Sequence, residues 1–298
     1  RCTRLVIDWH NFGYTMLAMK LGDSHPLVIA SKWYERRFCQ SAGAHFTVTD
    51  AMRRVLLEDF DLKANVLPLH DRPASQFQPL HSHARAAFLS SLDDTKAYAE
   101  SILMGKSRLL VSSTSWTPDE DFSVFIDALS MYSEKATKTH PHLPEILAII
   151  TGKGPEKEKY LLQIEKLKSE GKLEMVTVKT AWLSLEDYAS LLASADLGVS
   201  LHTSSSGVDL PMKVVDMFGA GLPVLGWNNF EAWSELVVEG RNGMGFADAD
   251  GMADKLVYLL SPDNTRLARL KDGALAEGKK RWDDEWDPIA GRLFELVN

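Results

Sequence analysis

From Leu109 to Leu260 the chain is built of strictly alternating β-α units, short apolar runs separated by amphipathic stretches. Strands that never follow one another directly pair in parallel and send their helices across the faces of the sheet. The runs Leu109–Ser112, Glu145–Ile150, Leu173–Val178, Asp196–Leu201 and Leu222–Leu225 predict strands. Helices are predicted from Thr117 or Asp119 to near Lys135, over Glu186–Ala193, from Pro211, over Phe230–Val238 and over Ala247–Leu260, with Gly240–Gly245 as a turn. Leu5–Asp8, His45–Thr49 and Asn65–Leu69 repeat the pattern with helices over Leu27–Phe38 and from Asp50, but make only part of a set. His70 to about Arg108 reads as a connection plus a helix near Thr95–Met104. The expected fold is α/β, with two Rossmann-like, doubly wound domains, the N-terminal one incomplete.

The chemistry concentrates in Asp196–Val224, which reads as strand, polar loop, helix, tight turn and strand. His202–Asp209 holds Ser204, Ser205, Ser206 and Gly207, a loop composition. Pro211, Lys213 and Asp216 then open the helix. A helix N-terminus attracts phosphate through its unpaired N–H groups and positive dipole end. Lys213 in that first turn is against helix preference, which points to a local anion. Asp216 lies one turn on and can accept from two ribose hydroxyls. An ordinary crossover helix with a solvated Lys and Asp accounts for the same residues. Gly152-Lys153-Gly154 follows another strand, a turn in which the backbone can approach a diphosphate closely. Asp8, His10 and Asn11 lie at the end of the first strand, where α/β proteins hold ligands. Asp8 and His10 are candidates for an oriented general base, or for a tie that fixes the Trp9–Tyr14 loop.

Four strings, VIDWHNFGYT (6–15), LLVSSTSWTPDEDFS (109–123), ITGKGP (150–155) and LHTSSSGVDLPMKVVDMFG (201–219), carry a resemblance. In this order they resemble the chitobiosyldiphosphodolichol β-mannosyltransferase family of GT-B glycosyltransferases. The likeness spans nearly the whole chain, with gaps mainly in Gln76–Lys106. It implies transfer of mannose from GDP-mannose to chitobiosyl-diphospho-dolichol with inversion, giving a β-1,4 linkage early in N-glycan precursor assembly. No cofactor or metal is implied. It also implies that Lys213 contacts the donor diphosphate and Asp216 the ribose. Ser113, Thr114, Ser115 and Trp116, the Gly152–Gly154 turn, and His202, Ser204, Ser205, Ser206, Gly207 and Asp209 complete the implied donor side. The implied layout is an acceptor-side domain and connection over 1–105, a nucleotide-sugar domain over 106–281, and a helix at 282–298 bracing the first domain. The family carries upstream a membrane anchor and the first part of its N-terminal domain. The chain, starting at Arg1, is therefore expected to be a fragment of a protein held at the cytosolic face of the endoplasmic reticulum membrane.

Bulk properties exclude other classes. A net charge of −8 argues against a nucleic-acid binder. Cys2 and Cys39 cannot form a disulfide framework or a Cys-based zinc site. No window approaches the roughly 20 apolar residues of a membrane span. HPLVIASKWYERRF (25–38) reads as a solvated crossover helix with Leu27, Ala30, Tyr34 and Phe38 on one face and Lys32, Glu35 and Arg36 on another. With Lys32, Arg36, Arg37 and Trp33 it also reads as a basic, aromatic membrane-touching face. His81-x-His83 lacks the carboxylates of a metal site, and Gly105-Lys106-Ser107 precedes a strand instead of opening a helix, so it is no P-loop. A NAD-type dehydrogenase lacks its third glycine, since Lys157 follows the Gly152 turn. A serine hydrolase lacks its nucleophile elbow. An inactive relative that binds nucleotide without transfer remains the alternative function.

Overall fold

The computed structural model describes residues 4–117, 120–263 and 265–296. Its first part runs β1 (Val6–Trp9), α1 (Gly13–Leu21), α2 (Pro26–Phe38), β2 (Ala44–Thr47), α3 (Asp50–Glu58) and β3 (Asn65–Pro68). These strands form a three-stranded parallel sheet in the order β1-β2-β3. Two helices follow, α4 (Ser82–Ser91) and α5 (Ala99–Leu103). The larger part is β4 (Ser107–Ser113), α6 (Ser123–Lys138), β5 (Glu145–Thr151), α7 (Lys157–Ser169), β6 (Val176–Ala181), α8 (Leu185–Ser194), β7 (Leu197–Ser200), α9 (Met212–Gly219), β8 (Val224–Trp227), α10 (Trp233–Leu236), β9 (Gly243–Phe246), α11 (Ala249–Leu260), α12 (Thr265–Glu277) and α13 (Trp282–Trp286).

The larger sheet is parallel throughout in the order β6-β5-β4-β7-β8-β9. Its central strands are apolar on both faces, as helix-covered parallel strands must be. Leu109, Val111, Leu147 and Ile149 enter one core, while Leu110, Ala148, Ile150 and Val199 enter the other. Strand order reverses between β4 and β7. In a doubly wound sheet the crevice beyond the carboxyl ends at that reversal receives the ligand. The loops leaving β4 and β7 therefore border that crevice.

Several boundaries differ from expectation. The run 240–245, read as a turn, contains most of β9, a short edge strand in which Gly243 and Gly245 alternate with Met244 and Phe246, and the glycines read as turn residues. Helix α6 starts at Ser123, held by the Asp121 carboxylate, which accepts from Ser123 N at 3.0 Å. Thr117 precedes that helix, and the alternative cap Asp119 lies outside the described residues, as does Cys2. On α2 the apolar face points outward. Leu27, Tyr34 and Phe38 are exposed, whereas Val28 is buried and Glu35 turns inward. Glu35 Oε1 accepts from Tyr14 N at 3.0 Å and Ser31 Oγ at 3.3 Å, capping the backbone of α1.

Helix α4 rides on the larger unit. Arg85 donates to Ser194 O at 2.8 Å and pairs with Asp196 at 3.2 Å. Packing thus changes hands in the 69–81 connection, whereas the expected boundary lies at residue 105. The final segment turns back to the small sheet: Trp286, Ile289 and Leu293 surround the cluster of Phe46, Leu69 and Ala290. The two lobes also meet at a polar clasp. Glu235 accepts from Asp50 N at 2.6 Å and Ala51 N at 2.8 Å, capping α3 from the other lobe. His70 lies between Glu235 (3.5 Å) and Glu285 (2.9 Å), and Arg72 pairs with Glu285 at 2.8 Å and Glu277 at 3.0 Å. Among the described residues no helix is long and apolar enough to cross a membrane.

Candidate active site

At the β4 end the chain turns sharply. Thr114 Oγ1 and Ser115 N both donate to Glu120 Oε2, and Trp116 N donates to Thr114 Oγ1 at 2.9 Å. Trp116 holds a left-handed backbone (φ 48°), and its ring is fully buried against Phe122 and Tyr160. It anchors the loop and does not line the cavity that Ser113 and Thr114 border, where the resemblance implies a donor contact. The glycines of the 152–154 turn answer to this loop as well. A Cβ on Gly152 would strike Thr114 O, one on Gly154 would strike Ser115 O, and Gly152 sits at φ 136°. Their requirement is close packing of two loops, whatever ligand approaches. Lys153 leans over the Trp182 ring, 4.2 Å from its centroid.

From the other side of the reversal comes α9, whose Pro211 is the N-cap and whose Lys213 is the second residue. The anion that Lys213 meets is Glu120, with Nζ to Oε1 at 2.5 Å. Glu120 is almost wholly buried and organises both loops at once, through Thr114, Ser115 and Lys213. Sequence reading missed it, because TPDED resembles an ordinary helix start and the partner stands 93 residues away.

Lys213 and Asp216 line a cavity of about 410 Å³ together with Ser113, Thr114, Gly152, Trp182 and Tyr188. Tyr188 Oη and Ser113 Oγ are 2.8 Å apart, and Thr151 Oγ1 donates to Ser113 Oγ at 3.1 Å. Burial raises the Asp216 carboxyl to about 7, and burial likewise carries Tyr188 to about 12, with the neighbouring Asp216 adding to it. A half-ionised acid under a polar rim, beside a helix N-terminus with a lysine, is chemically a site for a hydroxyl-bearing anion.

A second cavity, of about 350 Å³, lies between the lobes and is lined by Asn11, Met16, Met19, Lys20 and the 202–205 loop with Asp209. Its floor is a carboxylate hub. Asp209 accepts from His202 Nε2 at 2.9 Å, from Ser204 Oγ, and from Ser206 Oγ at 3.1 Å. Burial works to raise Asp209, but the His202 and Ser204 hydrogen bonds outweigh it and hold the carboxyl below its usual range. Ser204 has φ 51° and Gly207 φ 76°, so both bends of this loop use left-handed backbone. Ser205 Oγ meets Thr15 Oγ1 across the lobes at 3.3 Å. Asp8 and His10 do pair, at 3.2 Å, with Asp71 at 3.8 Å from the other ring nitrogen. Both are half-exposed, and neither lines the cavity that their neighbour Asn11 enters.

Of the predicted residues, Ser113, Thr114, Gly152, Lys213 and Asp216 line the first cavity and His202, Ser204, Ser205 and Asp209 the second, whereas Asp8, His10, Ser115, Trp116, Lys153, Gly154, Ser206 and Gly207 line neither. Residues 106–262 match the family described as glycosyl transferases group 1. The chain is 58% identical to the chitobiosyldiphosphodolichol β-mannosyltransferase of Arthroderma benhamiae, covering 100% of this chain and 67% of that protein. It belongs to that family. The mouse member is 43% identical, with 95% of this chain and 63% of that protein covered. The chain spans about two thirds of the length of these mannosyltransferase relatives. In fold it matches Anabaena HepE, solved in complex with UDP and glucose, at a TM-score of 0.69 and 16% identity, covering 98% of this chain and 71% of that one. The mannosyltransferase-family chain therefore has the GT-B architecture of facing α/β lobes. Its cavities also include Trp182, Tyr188, Met16, Met19 and Lys20, which no motif marks.

Proposed function

We propose that this chain forms the donor site and part of the acceptor cleft of a GDP-mannose-dependent β-1,4-mannosyltransferase acting on chitobiosyl-diphospho-dolichol. One observation carries the reading: Lys213, Asp216 and the Gly152 turn converge in a single cavity at the strand-order reversal of a family member. In this reading the diphosphate lies over the α9 N-terminus and Lys213, which Glu120 holds in place. Asp216, once ionised, accepts from the ribose hydroxyls. The acceptor 4-hydroxyl attacks the anomeric carbon from the chamber between the lobes. As its bond to C1 forms, the C1–O bond to the diphosphate breaks and GDP departs with the electron pair, stabilised by Lys213 and the helix N-terminus. Inversion follows from this single in-line displacement.

The hydroxyl proton needs a base. His10, steered by Asp8, and His202, steered by buried Asp209, are the two candidates, and lining of the cavity favours His202. In this reading the dolichol-linked acceptor keeps the protein at the endoplasmic reticulum membrane, on its cytosolic face. The test is transfer from labelled GDP-mannose to a chitobiosyl-diphospho-lipid, by a protein of the relatives' full length. His202→Gln is expected to lower turnover by roughly 10²–10⁴ with GDP affinity retained. Such a loss in His10→Gln alone transfers the role to His10. GDP is expected to raise the melting temperature more than UDP or ADP. Equal protection by UDP removes GDP-mannose as donor, and nucleotide binding without transfer identifies an inactive relative.

A further inference from the structure

Among the described residues 21 large apolar side chains are exposed, and eight of them fall between Met16 and Phe38. That concentration reflects how α2 sits. It rests on a narrow stripe of Val28, Ser31 and Glu35, with Cys39 just beyond its end, so the rest of its circumference faces outward. Leu27 is 60% exposed, Ile29 59%, Trp33 62% and Tyr34 59%. Tyr34 and Phe38 meet at a tilt with centroids 4.5 Å apart, and Trp33 meets Phe38 edge-on at 6.4 Å, so the rings form one patch. A soluble helix ordinarily turns its apolar stripe to the core, and the reverse placement needs a partner.

The charges define that partner. The segment from Met16 to Phe38 carries Lys20, Lys32, Arg36 and Arg37 against Asp23 and Glu35, and Glu35 is turned inward to the α1 backbone. Arg36 and Arg37 form no ion pair among the described residues. With Trp33, Gln40 and Lys63 they line a hollow of about 490 Å³, whose one acid, Asp61, is held by Lys63 at 2.5 Å. This cationic, aromatic face belongs to a chain whose net charge is −8. Lysine and arginine beside tryptophan and tyrosine on an outward apolar helix form the pattern that settles at the headgroup level of a bilayer. The chamber between the lobes is walled by Met16, Met19 and Lys20 of the same helical hairpin. We propose that the outward side of the α1–α2 hairpin docks on a bilayer surface bearing anionic headgroups, with Arg36 and Arg37 on the headgroup phosphates.

The test is flotation of the chain with phosphatidylcholine vesicles, with and without phosphatidylserine as roughly a third of the lipid. Binding is expected with the anionic vesicles and is expected to fall as salt is raised. A basic group near such a surface contributes about fivefold, so Arg36→Glu with Arg37→Glu should weaken binding at least about 30-fold. Trp33→Ser with Phe38→Ser should weaken it by about tenfold or more through lost apolar contact. Lys166→Glu with Lys168→Glu, on α7, should leave it unchanged. Circular dichroism and melting temperature establish that each variant folds. Absence of vesicle binding overturns the proposal, as does equal binding by the Arg36/Arg37 variant. Concentration-dependent dimerisation abolished by the Trp33/Phe38 change also overturns it, since the face would then be a contact between copies.

Discussion

Replacing His70 by Gln removes a cation clamped between acids from two separate segments. The Glu235 and Glu285 contacts raise His70 to about 9 against burial, from 6.5 for a free imidazole. A native value above the unfolded one means that the folded state binds the proton more tightly. The stabilisation is therefore fully present below pH 6.5 and is lost as pH rises through about 9. At about 1.36 kcal/mol per pH unit the interval corresponds to about 3 kcal/mol. His70 is 26% exposed, so solvent screening lowers this to about 2–3 kcal/mol. Burial works to raise Glu285, but His70 and Arg72 together hold it at about 2. Its contact with His70 is the same energy seen from the other partner, counted once. In His70→Gln the acids keep their other ties, Glu235 to Asp50 N and Ala51 N and Glu285 to Arg72. Denaturant unfolding of both proteins from pH 5.5 to 10 should give a difference of about 2–3 kcal/mol at pH 6 that closes by pH 10. A pH-independent difference, or one that grows above pH 8, refutes the clasp as a protonated imidazole between carboxylates.

Asp216, raised to about 7 from 3.8 by burial, favours the folded state below pH 3.8 and loses that contribution as pH rises through 7. Asp216→Asn should therefore raise the melting temperature at pH 8 and much less at pH 4, while weakening GDP binding about tenfold by calorimetry. The affinity of the unaltered chain should increase from pH 6 to pH 8 and then level off. Lys213→Ala leaves the buried Glu120 without its cation, so a loss of about 3–5 kcal/mol in stability should accompany the loss of GDP binding. Adding Glu120→Gln should restore much of the stability and none of the affinity; recovery of both would make Lys213 structural only. Gly152→Ala should displace the 114–116 loop and lower both the melting temperature and GDP affinity, and an unchanged melting temperature would contradict the contact with Thr114 O.

Alternation of apolar runs was sufficient for the parallel α/β class, because a strand covered by helices on both faces has to be apolar throughout. Strands β4, β5 and β7 announced themselves in this way, and α3 begins at Asp50 as expected, where Thr49 accepts from Met52 N. The Pro211–Asp216 spacing and the Gly152 turn likewise located one cavity, since both are local consequences of how a helix or turn begins. The four-residue β9 was hidden, because Gly243 and Gly245 in GMGF read as turn residues although Phe246 is buried in the core. Tertiary structure alone decided what each polar group meets. Lys213 finds Glu120 across 93 residues, His70 finds Glu285 across 215, and Glu35 turns inward to cap α1 while Trp33, Tyr34 and Phe38 face out. Helical periodicity reports that one face of α2 is apolar, but which face is covered depends on where α1 and β1 lie, and no local pattern encodes that.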